Sequence, residues 1–291
     1  MATDSPTFDL QSHSQHSDGA LTPHDVVGTA AAAGVELLAL TDHDTVDGVR
    51  DAAVIAQQLG LRLVTGVEIT AIEVDDRDLH VLGYLIDDLD HGLRELLEGY
   101  RRERDARATA MTEALKELGF VLDEAALQAR RADGKSIGRP HLAAAVVSRP
   151  ENAERLRGEG REDPSAFLEA YLIEGRPAFR PRRGPSVADA IAAIHGAGGV
   201  AVWAHPFWDV DDPAAVIASI DRFRAAGIDG VECFYPTHSR EQADLLADLC
   251  ERLGLLSTGS SDFHGPAHRE FSRFRAFRTY GREPALGPIA A

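Results

Sequence analysis

The sequence predicts an α/β fold, built as a parallel sheet or barrel and interrupted by an inserted helical subdomain. Three observations support this prediction: short apolar runs alternate with helical patterns, the middle of the chain lacks that alternation, and ionisable residues cluster where the apolar runs end. A chain of 291 residues with 44% apolar side chains can build a large core, which argues against overall disorder.

Seven short apolar runs, rich in leucine or β-branched residues, are predicted to be strands. They are FDL (8–10), VELLALT (35–41), LRLVTGV (61–67), LHVLGYLI (79–86), GVAVWA (199–204), GIDGVECF (227–234) and GLLSTGS (254–260). Several of these runs are followed by a helical pattern, and a repeated strand-then-helix order is typical of a parallel sheet or barrel.

Two of the helices have clear ends in the sequence. PHDVVGTAAAAG follows Thr22, a good N-cap, and has a proline in its first turn. SREQADLLADLCERLG is predicted to begin at Ser239 and to end at Gly254, where glycine favours the left-handed C-cap.

The stretch from about residue 90 to 185 reads as consecutive helices without intervening strands. We therefore predict a first barrel part over 1–92, an inserted helical, substrate-covering subdomain over 93–183, and a second barrel part over 184–291. The formal net charge is −17, yet residues 97–183 contain 17 Lys and Arg against 15 Asp and Glu. The remainder has 13 against 32.

This charge distribution bounds the choice of partners. The acidic total argues against capture of long duplex nucleic acid, which requires many phosphate contacts. It does not exclude a small anionic substrate, which the more basic middle of the chain would hold.

The two cysteines, Cys233 and Cys250, lack C-x-x-C spacing and lie in apolar contexts, so we predict buried thiols in a reducing compartment. The N-terminus has no basic and apolar leader pattern, and no apolar stretch is long enough to span a membrane. A cytoplasmic location without a membrane partner is expected.

Ionisable residues follow or lie within most of the predicted strands. Because the carboxyl ends of parallel strands meet at one face, we expect these side chains to converge. They are His13, Asp18, Asp42, His43, Asp44, Glu68, His80, His205, Glu232, Asp262 and His264.

Singly, each of these residues has an ordinary explanation. His80 could be a hydrogen-bonded core histidine, Glu232 a carboxylate at a strand end, and TDHD a helix-capping turn. Jointly, burial of so many ionisable groups would cost several kcal/mol each without compensation. Divalent cations supply that compensation, and mixed imidazole and carboxylate ligands suit Zn, Mn or Fe.

The motifs SHSxxSDG, LTDHDTVDG, GVEIT, LHVLGY, AHP and SSDFHG, in this order, resemble the PHP superfamily, named for polymerase and histidinol phosphatase. Within that superfamily, the long insert with RRERDAR and GRPHLA resembles the branch of nucleoside 3',5'-bisphosphate phosphatases and 5'-to-3' exoribonucleases. The resemblance extends over about residues 7–285.

The resemblance implies a distorted (β/α)7 barrel with two to three divalent metal ions, of Mn, Zn or Fe. One ion would be bound by His13, Glu68 and Asp262, a second by Glu68, His80 and His205, and a third by Asp18, His43 and His264. Glu68 would bridge two ions. Asp18, His43, Glu68 and His264 would act directly in catalysis.

One position departs from the family pattern. The family opens with His-x-His, whereas this chain has Gln11-Ser12-His13. A carboxamide oxygen is a weaker and harder donor than imidazole, so we hypothesise a weakened first metal site, or a harder ion, with Gln11 as an outer contact or a direct oxygen ligand. In a competing hypothesis, His16 replaces the missing ligand.

Substrate binding is predicted in the insert. Arg101, Arg104 and Arg107 share one helix face, and the planar guanidinium suits phosphate, although a solvated charged face is the alternative. The GKSIGRPHL stretch adds Lys135, Arg139 and His141. The insert leaves the barrel after the strand of His80, so its helices could cover the metal face.

Two aromatic residues, Phe179 and Trp208, could stack on a nucleobase or belong to the core. The general acid stays open among Asp42, Asp44 and His268. Five histidines are predicted not to bind metal. They are His24, His91, His195, His238 and His268.

We therefore expect a metal-dependent phosphoesterase that uses a metal-activated water on 3',5'-bisphosphate nucleotides or short oligoribonucleotide 5' ends. One alternative is a phosphatase for another small phosphoester, such as histidinol phosphate. The other is a weakly catalytic nucleotide-binding sensor, for which Gln11 is the only sequence support. The sequence predicts no oligomeric state.

Overall fold

Over residues 6–73, 78–132, 137–181 and 184–291, which the computed structural model describes, seven strands form one sheet whose spatial order follows the chain. Each strand lies mainly within one predicted apolar run, and the α/β barrel class is confirmed. The strands are β1 (Phe8–Asp9), β2 (Leu37–Leu40), β3 (Arg62–Ile72), β4 (Asp78–Tyr84), β5 (Val200–Trp203), β6 (Gly230–Phe234) and β7 (Leu256–Gly259).

Strand β4 corrects the expectation of a wholly parallel sheet. It runs antiparallel to both β3 and β5, whereas β1 to β3 and β5 to β7 are parallel. Only five residues separate Ile72 from Asp78, and a parallel crossover needs a dozen or more. Because β4 runs in the opposite direction, His80, near its start, pairs with Thr70, near the end of β3.

The two ends of the sheet approach each other. The backbone N–H of Leu10 donates to the carbonyl of Gly259 at 3.3 Å, and that of His13 donates to Phe263 at 2.8 Å. The segments that follow β1 and β7 therefore run side by side, and the sheet is a nearly closed barrel.

The helices begin and end where local chemistry favours it. Thr22 accepts from the backbone N–H of Asp25, Ser239 caps its helix in the same way, and Gly254 ends that helix with φ 68°. The helices are α1 (Pro23–Ala32), α2 (Val49–Leu59), α3 (His91–Glu117), α4 (Glu124–Ala132), α5 (Arg139–Val147), α6 (Ala153–Glu159), α7 (Pro164–Tyr171), α8 (Val187–Gly196), α9 (Pro206–Asp209), α10 (Pro213–Ala225) and α11 (Arg240–Leu253).

The chain divides into two compact units. The first combines Met1–Glu98 with Pro185–Ala291 and contains the barrel, and the second is Gly99–Gly184. The second unit has a core of its own, in which Leu115 and Phe167 are fully buried. The Asn152 side chain supports that core, because its amide donates to the carbonyls of Val121 and Val146 at 2.7 and 2.8 Å.

The two cysteines are buried and free, with the Sγ atoms of Cys233 and Cys250 3.7 Å apart. The prediction of buried thiols is confirmed. Among the helices in the described part of the chain, none combines the length and apolar character needed to cross a membrane.

Candidate metal centre

The buried carboxylate of Glu68, on β3, lies at the middle of a group of four imidazoles. Its Oε1 is 2.8 Å from His80 Nδ1 and 3.4 Å from His205 Nε2. Its Oε2 is 3.0 Å from His13 Nε2 and 3.7 Å from His43 Nδ1. Since the Glu68 side chain is completely inaccessible to solvent, its charge is balanced by these neighbours and not by water.

Two aspartates extend this group toward His264. Asp262 Oδ1 lies 3.1 Å from His13 Nε2 and 3.6 Å from His264 Nδ1. Asp18 lies 3.4 Å from His264 Nε2 and 3.7 Å from His43 Nε2. The structure thus brings together eight side chains predicted as metal ligands. They are His13, Asp18, His43, Glu68, His80, His205, Asp262 and His264.

Within the described residues, three groups of side chains have ligand atoms close enough to share an ion. The group of His13, Glu68 and Asp262 matches the first predicted ligand set. The other two groups are His13, Asp18, His43 and His264, and His43, Glu68 and His80.

These last two groups differ from the predicted sets by one residue each. His13 adds a donor to the third set, and His43 takes the place of His205 in the second. His205 nevertheless lies beside that set, because its Nε2 is 3.3 Å from His80 Nδ1. The division of ligands among individual ions stays a prediction.

The loop after β1 directs Asp18 toward the centre. Asp42 organises this loop by accepting from the backbone N–H of Ser14 and the Ser17 hydroxyl, each at 2.7 Å. Gly19 is required by space, because a Cβ there would lie 2.2 Å from the carbonyl oxygen of His13. The SDG sequence is therefore a turn that directs Asp18 toward the cluster.

Two of the eight side chains project from strained backbone. His205 has φ 28° and Asp262 has φ 52°, in a region that residues other than glycine rarely adopt. Neighbouring groups stabilise both conformations. The backbone N–H of His205 donates to Glu232 at 3.0 Å, and the Tyr235 hydroxyl donates to Asp262 Oδ2 at 2.7 Å.

The donors fit divalent cations. His13 Nε2, His43 Nδ1 and Asp262 Oδ1 are buried, and among the described residues none of them has a well-aligned hydrogen-bond partner, although His13 Nε2 and Asp262 Oδ1 are 3.1 Å apart. All three face the same cluster, in which imidazole nitrogens and carboxylate oxygens are mixed. Mn, Zn and Fe accept this ligand combination, and an ion would satisfy the three buried atoms.

Burial and neighbouring charges shift the pKa values of the carboxylates and imidazoles in the cluster. Burial alone would raise the pKa of Glu68, but the surrounding imidazoles hold it well below its usual range. The pKa of Asp262 is similarly lowered, to about 2. Burial lowers the pKa of His43 to about 3, so its ring is neutral near pH 7 and its nitrogen lone pair is available to a metal ion.

Gln11 is fully buried and contacts the centre through its amide nitrogen. Its Nε2 donates to Glu68 Oε2 at 2.9 Å, and its Oε1 accepts from the Ser260 hydroxyl at 3.1 Å. An ionised carboxylate only accepts hydrogen bonds, so the NH2 group, and not the carbonyl oxygen, must face Glu68. This geometry favours Gln11 as an outer contact over a direct oxygen ligand.

Some supporting residues were missed at the sequence level. Asp209 Oδ2 lies 3.3 Å from His205 Nδ1 as an ion pair, and a carboxylate in this place is typical beside a metal-ligating imidazole. The spacing of four residues in AHPFWD was the available signal for it. Tyr235 directly follows β6, but nothing in its local sequence indicates a contact with Asp262.

The remaining histidines lie outside the three candidate metal groups found among the described residues. His16 belongs to none of these groups, which disfavours it as a substitute for the missing ligand. His195 pairs with Asp229 at 2.7 Å, and His238 is buried with Nδ1 3.0 Å from the carbonyl of Cys233.

The predicted acid candidates have structural contacts. Asp42 accepts hydrogen bonds from Ser14 and Ser17 in the loop after β1. Asp44 accepts from the backbone N–H of Thr70 at 2.9 Å. His268 is exposed, and its Nδ1 accepts from the backbone N–H of Phe271 at 3.0 Å.

The predicted phosphate-binding residues belong to the second unit. Arg101, Arg104 and Arg107 lie on α3 and are all partly buried. The Arg107 guanidinium donates through Nε to the carbonyl of Arg180 at 2.8 Å and packs over the ring of Phe179, with 5.5 Å to its centroid.

The other members of this set belong to or precede α5. Arg139 is the first residue of α5, and His141 Nδ1 accepts from the backbone N–H of Gly138 at 3.0 Å. Lys135 lies outside the described residues.

Comparison with known proteins identifies relatives of this chain. The PHP domain family matches residues 9–132. A 5'-3' exoribonuclease of Haemophilus influenzae is 34% identical over 259 residues, which cover 89% of this chain and 90% of that protein. A 3',5'-nucleoside bisphosphate phosphatase of Chromobacterium violaceum is 35% identical over 263 residues, which cover 89% of this chain and 87% of that protein.

A solved structure confirms the similarity in three dimensions. It is an amidohydrolase from Chromobacterium violaceum with bound sulfate and no metal. It is 31% identical, has a TM-score of 0.75, and covers 98% of this chain and 93% of its own.

The chain belongs to the PHP domain family of metal-dependent phosphoesterases. Like them, it is an enzyme that hydrolyses phosphoric esters. The resemblance to the bisphosphate phosphatase and exoribonuclease branch, predicted from the sequence, is confirmed by the relatives.

Proposed function

We propose that this enzyme hydrolyses 3',5'-bisphosphate nucleotides, or removes nucleotides from the 5' ends of short oligoribonucleotides. The observation that carries the proposal is the buried Glu68 carboxylate that lies among four imidazoles. We infer that these side chains would hold two to three divalent ions. The names of the relatives support a nucleotide substrate.

Divalent ions at this centre would lower the pKa of a water molecule and neutralise the charge that develops on the departing oxygen. The protein residues fix the geometry for that chemistry. Glu68 holds neighbouring imidazoles around one carboxylate, and Asp209 and Tyr235 orient His205 and Asp262.

We assign direct catalytic roles to Asp18, His43, Glu68 and His264. Asp18 is the most accessible of the four, with 38% of its side chain exposed, whereas His43 and His264 are 15% and 12% exposed. Substrate phosphate would therefore approach the side of the cluster formed by these three residues. Glu68 is completely buried and would bind the ions on the side away from solvent, as their shared ligand.

Phosphate binding by the insert is the second part of the proposal. Arg101, Arg104, Arg107, Lys135, Arg139 and His141 would hold the substrate phosphate that is not being hydrolysed. Guanidinium groups form two parallel hydrogen bonds with phosphate, and residues 97–183 are the part of the chain that is not strongly acidic.

A substrate panel tests the reaction. The panel contains adenosine 3',5'-bisphosphate, a 5'-phosphorylated RNA pentamer and histidinol phosphate, with released phosphate and nucleotides measured separately. We expect turnover of the first two, loss of activity with a chelator, and recovery with Mn²⁺. Preferential hydrolysis of histidinol phosphate, or binding of nucleotide without turnover, would contradict the proposal.

Replacement of a metal ligand tests the centre. We expect His43→Ala to lower kcat by at least about 100-fold, because it removes one of the donors around Glu68. His24→Ala is the matched control, since His24 is exposed and pairs with its neighbour Asp25. Near-normal turnover by His43→Ala would exclude the assigned role.

Replacement of an arginine tests the insert. We expect Arg104→Ala to raise KM for adenosine 3',5'-bisphosphate about tenfold, with little change in kcat, because a charge-assisted hydrogen bond to phosphate is lost. Arg157→Ala is the control in the same unit, since the Arg157 side chain is 71% exposed. Equal kinetics for the two variants would refute phosphate binding by Arg104.

A further inference from the structure

A group of aromatic rings in the barrel unit adjoins the metal centre, and its exposed tryptophan has no part in the chemistry described above. Trp208 lies with its ring centroid 5.4 Å from that of Phe271 and 6.3 Å from that of Tyr235. His268 stacks on Phe271, with centroids 5.2 Å apart and ring planes 19° apart. We name Trp208, Tyr235, His268 and Phe271 the aromatic surface.

The inner and outer rings of the aromatic surface differ in exposure. Tyr235 and Phe271 are 2% and 6% exposed, whereas Trp208 is 47% exposed, and His268 is also exposed. Trp208 is the one aromatic residue among the exposed large hydrophobic side chains of the described residues. The buried pair therefore fixes the position of a tryptophan ring that remains accessible, and Trp208 is not a core residue.

The aromatic surface is continuous with the metal ligands. The Tyr235 hydroxyl donates to Asp262 Oδ2 at 2.7 Å, and its ring centroid is 5.0 Å from that of His205. The rings of His268 and Phe271 lie 5.2 and 5.8 Å from the ring of His264. A molecule bound at the centre could thus extend over the exposed rings.

We propose that the aromatic surface, and Trp208 in particular, stacks on the nucleobase of the substrate while a phosphate of the same molecule occupies the metal centre. The inference rests on the proposed function and narrows the substrate to phosphorylated riboses that carry a base. A base-free sugar phosphate would leave the Trp208 ring in water, whereas every nucleobase offers a flat face to it.

Kinetics with matched substrates tests this inference. Trp208→Ala is compared with wild type on adenosine 3',5'-bisphosphate and on the methyl riboside 3,5-bisphosphate, which lacks the base. We expect KM for the nucleotide to rise about tenfold, with KM for the base-free compound unchanged. Trp208→Phe should restore most of the loss, because phenylalanine retains a stacking face.

Leu59→Ala is the control, since Leu59 on α2 is 51% exposed and lies outside the aromatic surface. It should leave both KM values unchanged. Equal loss on the two substrates by Trp208→Ala, or no loss on either, would overturn the role of the base.

A binding measurement separates this inference from the hydrolytic activity. The chain has two tryptophans, and Trp203 is fully buried. Adenosine 5'-monophosphate should quench tryptophan fluorescence saturably in the wild type, and the quenching should disappear in Trp208→Phe. Such quenching supports stacking even if bisphosphates are not hydrolysed, whereas active enzyme without quenching would exclude it.

Discussion

At the scale of single residues, Gln11 is the position that most affects how many metal ions we expect the centre to bind tightly. Its amide nitrogen donates to the carboxylate that four imidazoles share, and its oxygen is held by Ser260. The side chain therefore offers a donor to Glu68 and directs no lone pair toward that carboxylate. The first ligand set keeps only three protein donors, which supports the hypothesis of a weakened site.

Replacement of Gln11 should affect metal binding more than folding. Gln11→Leu removes the donor to Glu68, and we expect Mn²⁺ affinity, measured by calorimetry on chelator-treated protein, to fall about 10- to 100-fold. The free energy of unfolding without metal should fall by about 1–3 kcal/mol, because a buried charge-assisted hydrogen bond is lost.

Two variants make this measurement decisive. Gln15→Leu is the matched control, since Gln15 is exposed four residues further along the chain. Gln11→His should raise the number of tightly bound ions, because it offers an imidazole at the same place. Three tightly held ions per wild-type chain would contradict the weakened site.

Protonation gives a second prediction at this scale. Burial lowers the pKa of His13, but the carboxylates of Asp262 and Glu68 more than offset it, so the pKa is raised well above 6.5. The pKa of His205 is raised in the same way by Asp209 and Glu68. Both rings are therefore protonated near neutral pH without metal, and a bound ion must displace their protons.

Metal affinity should consequently rise with pH. Protons compete below the raised folded-state pKa values and no longer compete above them, so the affinity gains about one decade per pH unit for each proton released. Calorimetry in buffers of different ionisation enthalpy counts those protons. Metal binding at pH 7 without proton release would contradict this protonation scheme.

At the scale of elements, the loop after β1 and the reversed strand β4 bring distant ligands together. Asp42, after β2, organises the β1 loop that carries Asp18. The reversal of β4 places His80 level with the carboxyl ends of its neighbours. The positions of Asp18 and His80 therefore depend on the backbone geometry of the β1 loop and of β4, as well as on the side chains themselves.

Gly19→Ala tests the loop. A methyl group would lie 2.2 Å from the His13 carbonyl oxygen, so the turn must open and move both His13 and Asp18. We expect kcat/KM to fall by at least about tenfold, since small displacements of reacting groups are costly. Gly28→Ala is the control, because a Cβ there meets nothing within 4 Å and helix propensity improves.

The melting temperature completes this comparison. Gly19→Ala should lower it in chelated protein, whereas Gly28→Ala should leave it unchanged or raise it. If Gly19→Ala retained wild-type kinetics and metal binding, the close packing of this turn would not matter for function.

At the scale of the whole molecule, short local patterns predict the barrel, and the side chains predicted as ligands lie close together in it. Apolar runs locate the seven strands of the described residues. Seven of the eight expected ligands lie within a run or up to four residues after one, whereas Asp18 lies eight residues after the first run. The direction of β4 was missed, although the short connection before it excludes a parallel crossover.

Other features depend on tertiary contacts that a local pattern does not encode. The contact of Tyr235 with Asp262 joins residues that are 27 positions apart. The exposure of Trp208 depends on how α9 packs on Phe271, and a large aromatic residue is buried more often than not. The orientation of the Gln11 amide follows from its contacts with Glu68 and Ser260.

The shared Glu68 has a consequence for how the centre fills. A carboxylate that contacts four imidazoles cannot take its best geometry for one ion independently of the next. Filling of one site should therefore change the metal affinity of the next, and a metal titration should give a Hill coefficient different from one. The metal concentration that activates the enzyme would then depend on this coupling and not on the affinity of one isolated site.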